Sequence, residues 1–292
     1  GDRAREIMRD YATGEKPFFL MCSFVEPHGW GCLTPELWEK FADVPVPPPV
    51  GGDETEIDKP ESQRNAVAAW KDFTGGPFGD VMKYRRGVYA SLSLVDAEIG
   101  KLMECLDELG IRDNTVILFT TDHGDLMYDH GCIEKGYLYD AAVRLPFLIS
   151  GPGVHEGTER DHLVSQVDLL PTVLDFCGID DGELKIEGRS VRPVIDDVAA
   201  PWRDTVYCEI HQKWLLKEQV QSSMVKMLRR GPWKYIYTLV DGHIVEEELY
   251  NLEDDPDELI NLAVRSEHTE LLKEFRDELL RWYVATEVNR LH

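Results

Sequence analysis

The 292 residues carry 31 Lys and Arg against 55 Asp and Glu, a formal charge of -24, with 43% hydrophobic and 10% aromatic content. A chain of this length buries a sizeable core without needing disulfide or metal staples, and a field this negative argues against nucleic acid and anionic lipid as partners. No apolar run approaches the roughly 20 residues that span a bilayer, so no membrane segment is expected.

The chain opens on Gly1-Asp2-Arg3-Ala4, with neither an initiator Met nor a signal peptide, and residues 2–12 read as a short helix. Pro17 to Val25 is a continuous apolar run suited to a strand buried on both faces, ending at Glu26-Pro27-His28-Gly29. Residues 43–80, rich in Pro, Gly and charge, read as a long excursion outside the core. From Tyr84 to Leu109, Val88, Leu92, Val95, Ile99, Leu102, Leu106 and Leu109 keep helical spacing, and Gly110 supplies the stop. Thr115–Thr121 is β-branched and too short for a helix, which predicts a buried strand and, with the helix before it, an α/β crossover unit.

The pattern recurs with a strand at Phe147–Ser150 and a helix from about Asp168 to Phe176, closed by Gly178, with Asp168 as its N-cap. After Pro193 the grammar changes. Thr205–Ile210, Met224–Leu228, Lys234–Thr238 and Glu246–Tyr250 read as short strands, followed by one amphipathic helix over about Glu267 to Val284. The fold class is therefore α/β: a mostly parallel sheet with flanking helices over residues 1–200, then a small antiparallel sheet with one helix over 201–292, the boundary falling near 196–204. The six cysteines lack paired spacing and read as reduced thiols. The absence of an Asn-x-Ser/Thr sequon favours a bacterial or cytosolic origin.

In α/β sheets ligands sit at the carboxyl ends of the strands, and Asp122-His123-Gly124 falls where the 115–121 strand runs out. An adjacent carboxylate and imidazole can both reach one divalent ion, while Gly124 allows backbone to pass close by. On the bland reading Asp122 caps a turn and His123 is incidental. The neighbourhood favours a site: a second triplet, Asp129-His130-Gly131, lies seven residues on, and Lys135 stands thirteen after Asp122. A loop this polar between two buried strands is poorly explained by packing. His130 reads as a residue bracing the loop in preference to a ligand, and Asp254-Asp255-Pro256 as a turn.

Tyr89, Asp96, Ile99-Gly100, Asn114-Thr115, Thr121-Asp122-His123-Gly124, Lys135 and Arg144-Leu145-Pro146 together resemble the sulfatase family of the alkaline phosphatase superfamily. The resemblance extends over most of the chain, through Phe18–His28, Asp168–Thr172, and Leu249-Tyr250-Asn251-Leu252 with Asp255-Pro256, Glu258 and Asn261-Leu262. It implies an alkaline-phosphatase-like sheet and a sulfuric ester hydrolase acting on a small sulfated substrate. It also implies that Asp122 and His123 bind a divalent metal, usually calcium and in some relatives manganese, and that His28 and Lys135 contact the sulfate and serve catalysis. A lysine supplies positive charge that a -24 protein otherwise lacks.

The chain also departs from the family. No Cys/Ser-x-Pro/Ala-x-Arg motif, the source of the family's formylglycine nucleophile, is present, nor is the amino-terminal strand ending in paired aspartates. Pro27-His28-Gly29-Trp30 stands where relatives commonly read Pro-His-x-Pro. The expectation is a chain that lacks the family's first third, is inactive alone, binds metal weakly through two ligands, and exposes a sheet edge that favours a homo-oligomer. The competing readings are a phosphonate monoester or phosphodiester hydrolase of the same superfamily, and a non-catalytic sulfatase-like module.

Overall fold

The structure is a computed structural model that describes residues 1–28, 33–52, 55–73, 80–180, 182, 184–216 and 219–290, with backbone alone at 69–73, 212–216, 219–222, 244 and 288–290. In chain order its elements are α1 (Asp2–Ala12), α2 (Pro35–Phe41), α3 (Glu61–Phe73), α4 (Val81–Glu108), β1 (Ile117–Thr120), α5 (Asp140–Val143), β2 (Phe147–Ser150), α6 (Leu169–Phe176), α7 (Arg192–Asp196), β3 (Thr205–Leu216), β4 (Gln219–Arg230), β5 (Trp233–Val240), β6 (Ile244–Asn251) and α8 (Thr269–Arg290). No described helix is long and apolar enough to cross a membrane. The chain divides into two compact units.

The first unit comprises Gly1–Pro48, Gly76–Phe119 and Leu148–Val154. Its spine is α4, started by the Asp80 carboxylate, which accepts the amide of Lys83 at 3.0 Å, and stopped by Gly110 at φ +67°. Met8, Cys105 and Leu106 are buried at its core, with Phe18, Leu20 and Ile117 packed against them. β1 and β2 pair side by side.

The segment Pro17–Val25 corrects one expectation. It forms no strand, and only alternate residues are covered: Phe18 and Leu20 meet the core while Phe19, Met21 and Val25 are 66%, 78% and 75% exposed. A nine-residue apolar run fits a strand buried on both faces, and here no described residue covers the second face.

The second unit comprises Pro49–Gly75, Thr120–Phe147 and His155–His292. Its centre is an antiparallel meander in the order β3-β4-β5-β6, with pairs such as Met227↔Ile236, Leu228↔Tyr235 and Tyr235↔Leu249. Alternation along each strand sends successive side chains to opposite faces. Val225, Met227, Ile236 and Tyr250 pack with Leu126, Leu138 and Tyr139, while Leu228, Tyr235 and Leu249 pack against Leu272, Phe275 and Leu279 of α8. The sheet and covering helix are those expected, with longer strands, because the β3–β4 ladder continues to Leu216↔Gln219.

The excursion 43–80 needs a second correction. Glu61–Phe73 is helical, and Ala66 lies in the main core of this unit with Gln63 and Lys59 buried beside it. The start of α3 is held from β6, where the Glu246 carboxylate accepts the amide of Ser62 at 3.0 Å and also the Ser62 hydroxyl. Ile57 forms a parallel bridge with Ile260. Partners almost 200 residues away along the chain fix this helix, so local composition does not announce it.

Asp168 also plays a different part. It is fully buried, and its carboxylate accepts the amides of Ser165 (2.8 Å) and Arg189 (2.9 Å) and the Arg203 guanidinium (2.5 Å). The side chain closes a capping box with Ser165 on the turn ahead of α6 and does not cap α6 itself.

Candidate metal and sulfate site

β1 ends at Thr120, and the chain leaves it through Thr121-Asp122-His123-Gly124. The exit is tethered twice. The Gln166 side-chain amide donates to the carbonyl of Thr121, and the amide of Gly124 donates to the carbonyl of Ala142 at 2.8 Å. A Cβ at Gly124 would fall 2.0 Å from the carbonyl oxygen of Ala141, so only glycine permits this close approach.

Between the tethers stand the two residues that the sequence nominates. The Asp122 side chain is 84% exposed and that of His123 38%. His123 Nδ1 lies 2.7 Å from the Gly124 carbonyl; a carbonyl only accepts, so Nδ1 carries a proton, and Nε2 is the nitrogen left to offer a lone pair to a metal when the ring is neutral. That nitrogen is 3.5 Å from Asp122 Oδ2. Two neighbouring ligands on one divalent ion, each at about 2.0–2.5 Å, stand about 3–3.5 Å apart, so this pair suits a shared ion. Partial burial pushes the Asp122 carboxyl up, while the charge of His123 and hydrogen bonds from the His123 amide and the Thr121 hydroxyl outweigh it, leaving the group below its ordinary value. Among the described residues no group of three or more His, Cys, Asp or Glu converges as a metal cage.

The loop then folds back on itself. Asp125 Oδ1 accepts the amides of Met127 (2.8 Å) and Glu134 (3.1 Å), and Leu126, fully buried, donates its amide to the Glu134 carbonyl at 2.8 Å. Met127, Tyr128, His130 and Glu134 all have positive φ, a backbone held against its preference by these contacts. Lys135 follows, 36% exposed, with Nζ 3.9 Å from the Glu134 carboxylate. Asp122, His123 and Lys135 therefore share one pinned loop of the second unit. His28 lies in the first unit, in a turn whose amide donates to the Val25 carbonyl at 3.0 Å, after a cis Glu26-Pro27 bond. Gly29-Trp30, the departure from Pro-His-x-Pro, lies outside the described residues.

His130, expected as a brace, is buried against Tyr139 with ring centroids 3.9 Å apart, and its Nδ1 lies 2.5 Å from Glu56. Sequence reasoning missed the partners of this brace. Lys59 donates to the Tyr250 hydroxyl at 2.9 Å and the Glu258 carbonyl at 2.6 Å, and sits over the Tyr139 ring at 4.3 Å. Glu248 accepts from Tyr139 (2.8 Å) and from Tyr250. Lys234 lies 2.8 Å from Asp140 and 2.7 Å from Glu258. The acidic Asp254-Asp255 pair forms the expected turn, Asp255 accepting the amides of Leu259 and Ile260 at 3.0 and 2.8 Å.

The α/β fold agrees with comparison to known proteins. The sulfatase family model matches residues 2–179, and the model for the C-terminal region of N-sulphoglucosamine sulphohydrolase matches residues 128–284. The chain belongs to the sulfatase family of the alkaline phosphatase superfamily. An arylsulfatase of Clostridium perfringens is 30% identical over 270 residues, 91% of this chain and 53% of that protein. A solved structure in complex with its substrate D-glucosamine-2-N,6-O-disulfate is 28% identical, with a TM-score of 0.59 over 70% of this chain and 41% of that one. The phosphonate monoester hydrolase of Agrobacterium radiobacter shares the fold, with a TM-score of 0.72 at 21% identity over 97% of this chain and 60% of its own. The chain spans about half the length of the arylsulfatase it matches.

Proposed function

We propose that the protein is a sulfuric ester hydrolase acting on a small sulfated substrate, with Asp122 and His123 as two ligands of a divalent ion, Ca2+ before Mn2+. The observation that carries this reading is the 3.5 Å pair of Asp122 Oδ2 and His123 Nε2, set on the same pinned loop as Lys135. When bound, the ion withdraws charge from the sulfate oxygens.

The chain's own residues do the rest of the work assigned here. His123 Nδ1 fixes its ring through the Gly124 carbonyl and so aims Nε2 at the ion. Lys135 places a cation beside the anionic ester, where water leaves the charge only partly screened. His28, assigned on the Pro27-His28 motif, stabilises or protonates the bridging oxygen of the departing alcohol. The nucleophile, a formylglycine in this family, and the remaining metal ligands belong to sequence outside these 292 residues, so the chain alone is inactive. The uncovered face bearing Phe19, Met21 and Val25 supports self-association of the isolated chain.

Turnover of an aryl sulfate and an aryl phosphonate by the full-length protein tests the reading. Sulfate turnover should dominate, and strong phosphonate turnover with none of the sulfate would overturn it in favour of a phosphonate monoester hydrolase. An upstream in-frame Cys/Ser-x-Pro-x-Arg in the encoding gene rules out a non-catalytic module.

A further inference from the structure

The second Asp-His-Gly triplet, Asp129-His130-Gly131, repeats the first in sequence but has different partners. Each of its three residues contacts one segment, residues 50–63. The Asp129 carboxylate accepts the amide of Val50 at 2.9 Å. The His130 amide donates to the Val50 carbonyl at 2.6 Å, its carbonyl accepts Gln63 Nε2 at 3.2 Å, and its ring donates to Glu56 at 2.5 Å. Gly131 meets Gly52 so closely that a Cβ on Gly52 would fall 2.5 Å from the Gly131 amide nitrogen.

Glu56 is itself held on its other side by Lys59, 3.5 Å away, and by Gln63 at 3.4 Å. The side chains of His130, Glu56 and Lys59 are at most 7% exposed, so water competes little for these bonds. His130 occupies φ +54°, a conformation a non-glycine residue keeps only where its surroundings demand it.

We propose that Asp129-His130-Gly131 with Glu56 is a clasp that positions the loop carrying Asp122, His123 and Lys135, and that His130 is a positioning residue, neither ligand nor acid. The positioning role rests on the assignment of those three residues to the sulfate site; the clasp itself does not. Without the His130–Glu56 bond, the buried Glu56 carboxylate loses one of its partners and the strained His130 backbone loses its side-chain anchor, and the loop opens locally.

Amide hydrogen exchange over residues 122–136 of this chain tests the clasp without needing activity. His130→Ala and Glu56→Ala should raise exchange there about tenfold or more, with β4–β6 unchanged. His130→Asn should stay protected, since Asn tolerates left-handed backbone and carries a donor at the reach of Nδ1. Unchanged loop exchange in the Ala variants, or exchange that rises equally in β4–β6, would overturn the proposal. In the full-length protein His130→Ala should lower kcat/KM for an aryl sulfate about tenfold, mainly through KM, and His130→Asn should restore it. A wild type that turns over no aryl sulfate sinks the functional reading and leaves the exchange result to judge the clasp.

Discussion

The amide of Gly124 donates to the carbonyl of Ala142 across 2.8 Å, and the carbonyl of Ala141 fills the space where a side chain would begin. The strand exit bearing Asp122 and His123 is thus set against the Tyr139–Val143 turn by backbone alone. Gly124→Ala must push Cβ into that carbonyl or break the 2.8 Å bond. Overpacking of this kind costs about 1–3 kcal/mol, so the unfolding free energy should fall by that amount, read as a lower chemical denaturation midpoint at an unchanged m-value. Divalent-metal affinity of the full-length protein should drop with it, because both proposed ligands sit within two residues of the altered position.

Calcium binding reads the pair directly. In the full-length protein, Asp122→Ala and His123→Ala should each weaken Ca2+ by more than the roughly 10–100-fold that loss of an outer partner costs, measured by calorimetry. In the isolated chain the two donors alone should hold Ca2+ at about 10⁻⁴ M or more weakly. Chelation should abolish sulfate turnover in the full-length protein and return it on adding Ca2+. Wild-type affinity in both variants would remove them from the ligand set.

What the sequence made legible follows the range of the interactions. The α4 helix and the β3–β6 meander with α8 are written in local periodicity, and both stand where the spacing put them. Asp122, His123 and Lys135 could be nominated from the sequence because they lie within fourteen residues of one another on one loop. Glu56 and Lys59 were not: their value comes from His130, 74 residues on in the case of Glu56, and from Tyr250, 191 residues from Lys59. The α3 helix escaped notice for the same reason, since its start is fixed by Glu246 and its flanks are rich in Pro, Gly and charge. The uncovered face of Pro17–Val25 is the reverse case, where the local pattern is a buried strand and the tertiary neighbours decide the matter.

Lys135 is half-paired with Glu134 at 3.9 Å, too long and too exposed for a strong bond, which leaves its charge available to a substrate anion. In the full-length protein Lys135→Met should lower kcat/KM for an aryl sulfate about 10²–10³-fold, with folding stability nearly unchanged. Lys135→Arg should recover only part of the loss, because the charge returns with a different reach and donor geometry. Glu134→Gln should leave turnover within about threefold, since an exposed pair contributes about 0–1 kcal/mol. A larger effect at Glu134 than at Lys135 would reverse the assignment.

Glu98 offers a test of electrostatics away from the site. Lys101 donates to it at 2.5 Å and Arg5 at 3.0 Å, and these two cations hold its carboxyl at about 2 against an ordinary 4.5. A carboxyl depressed by folding contributes stability that is fully present above its unfolded value and is lost as pH falls through the folded one. The contribution of Glu98 should therefore be intact above about pH 5 and vanish progressively from about 4.5 toward 2. Melting temperatures of wild type and Glu98→Gln, taken across that range, should differ at about pH 6 and converge toward pH 2. The pair is open to solvent on the Lys101 side, 52% exposed, so about 1 M salt should shrink the difference. A gap that persists unchanged to pH 2 would mean the side chain acts through packing and not through its charge.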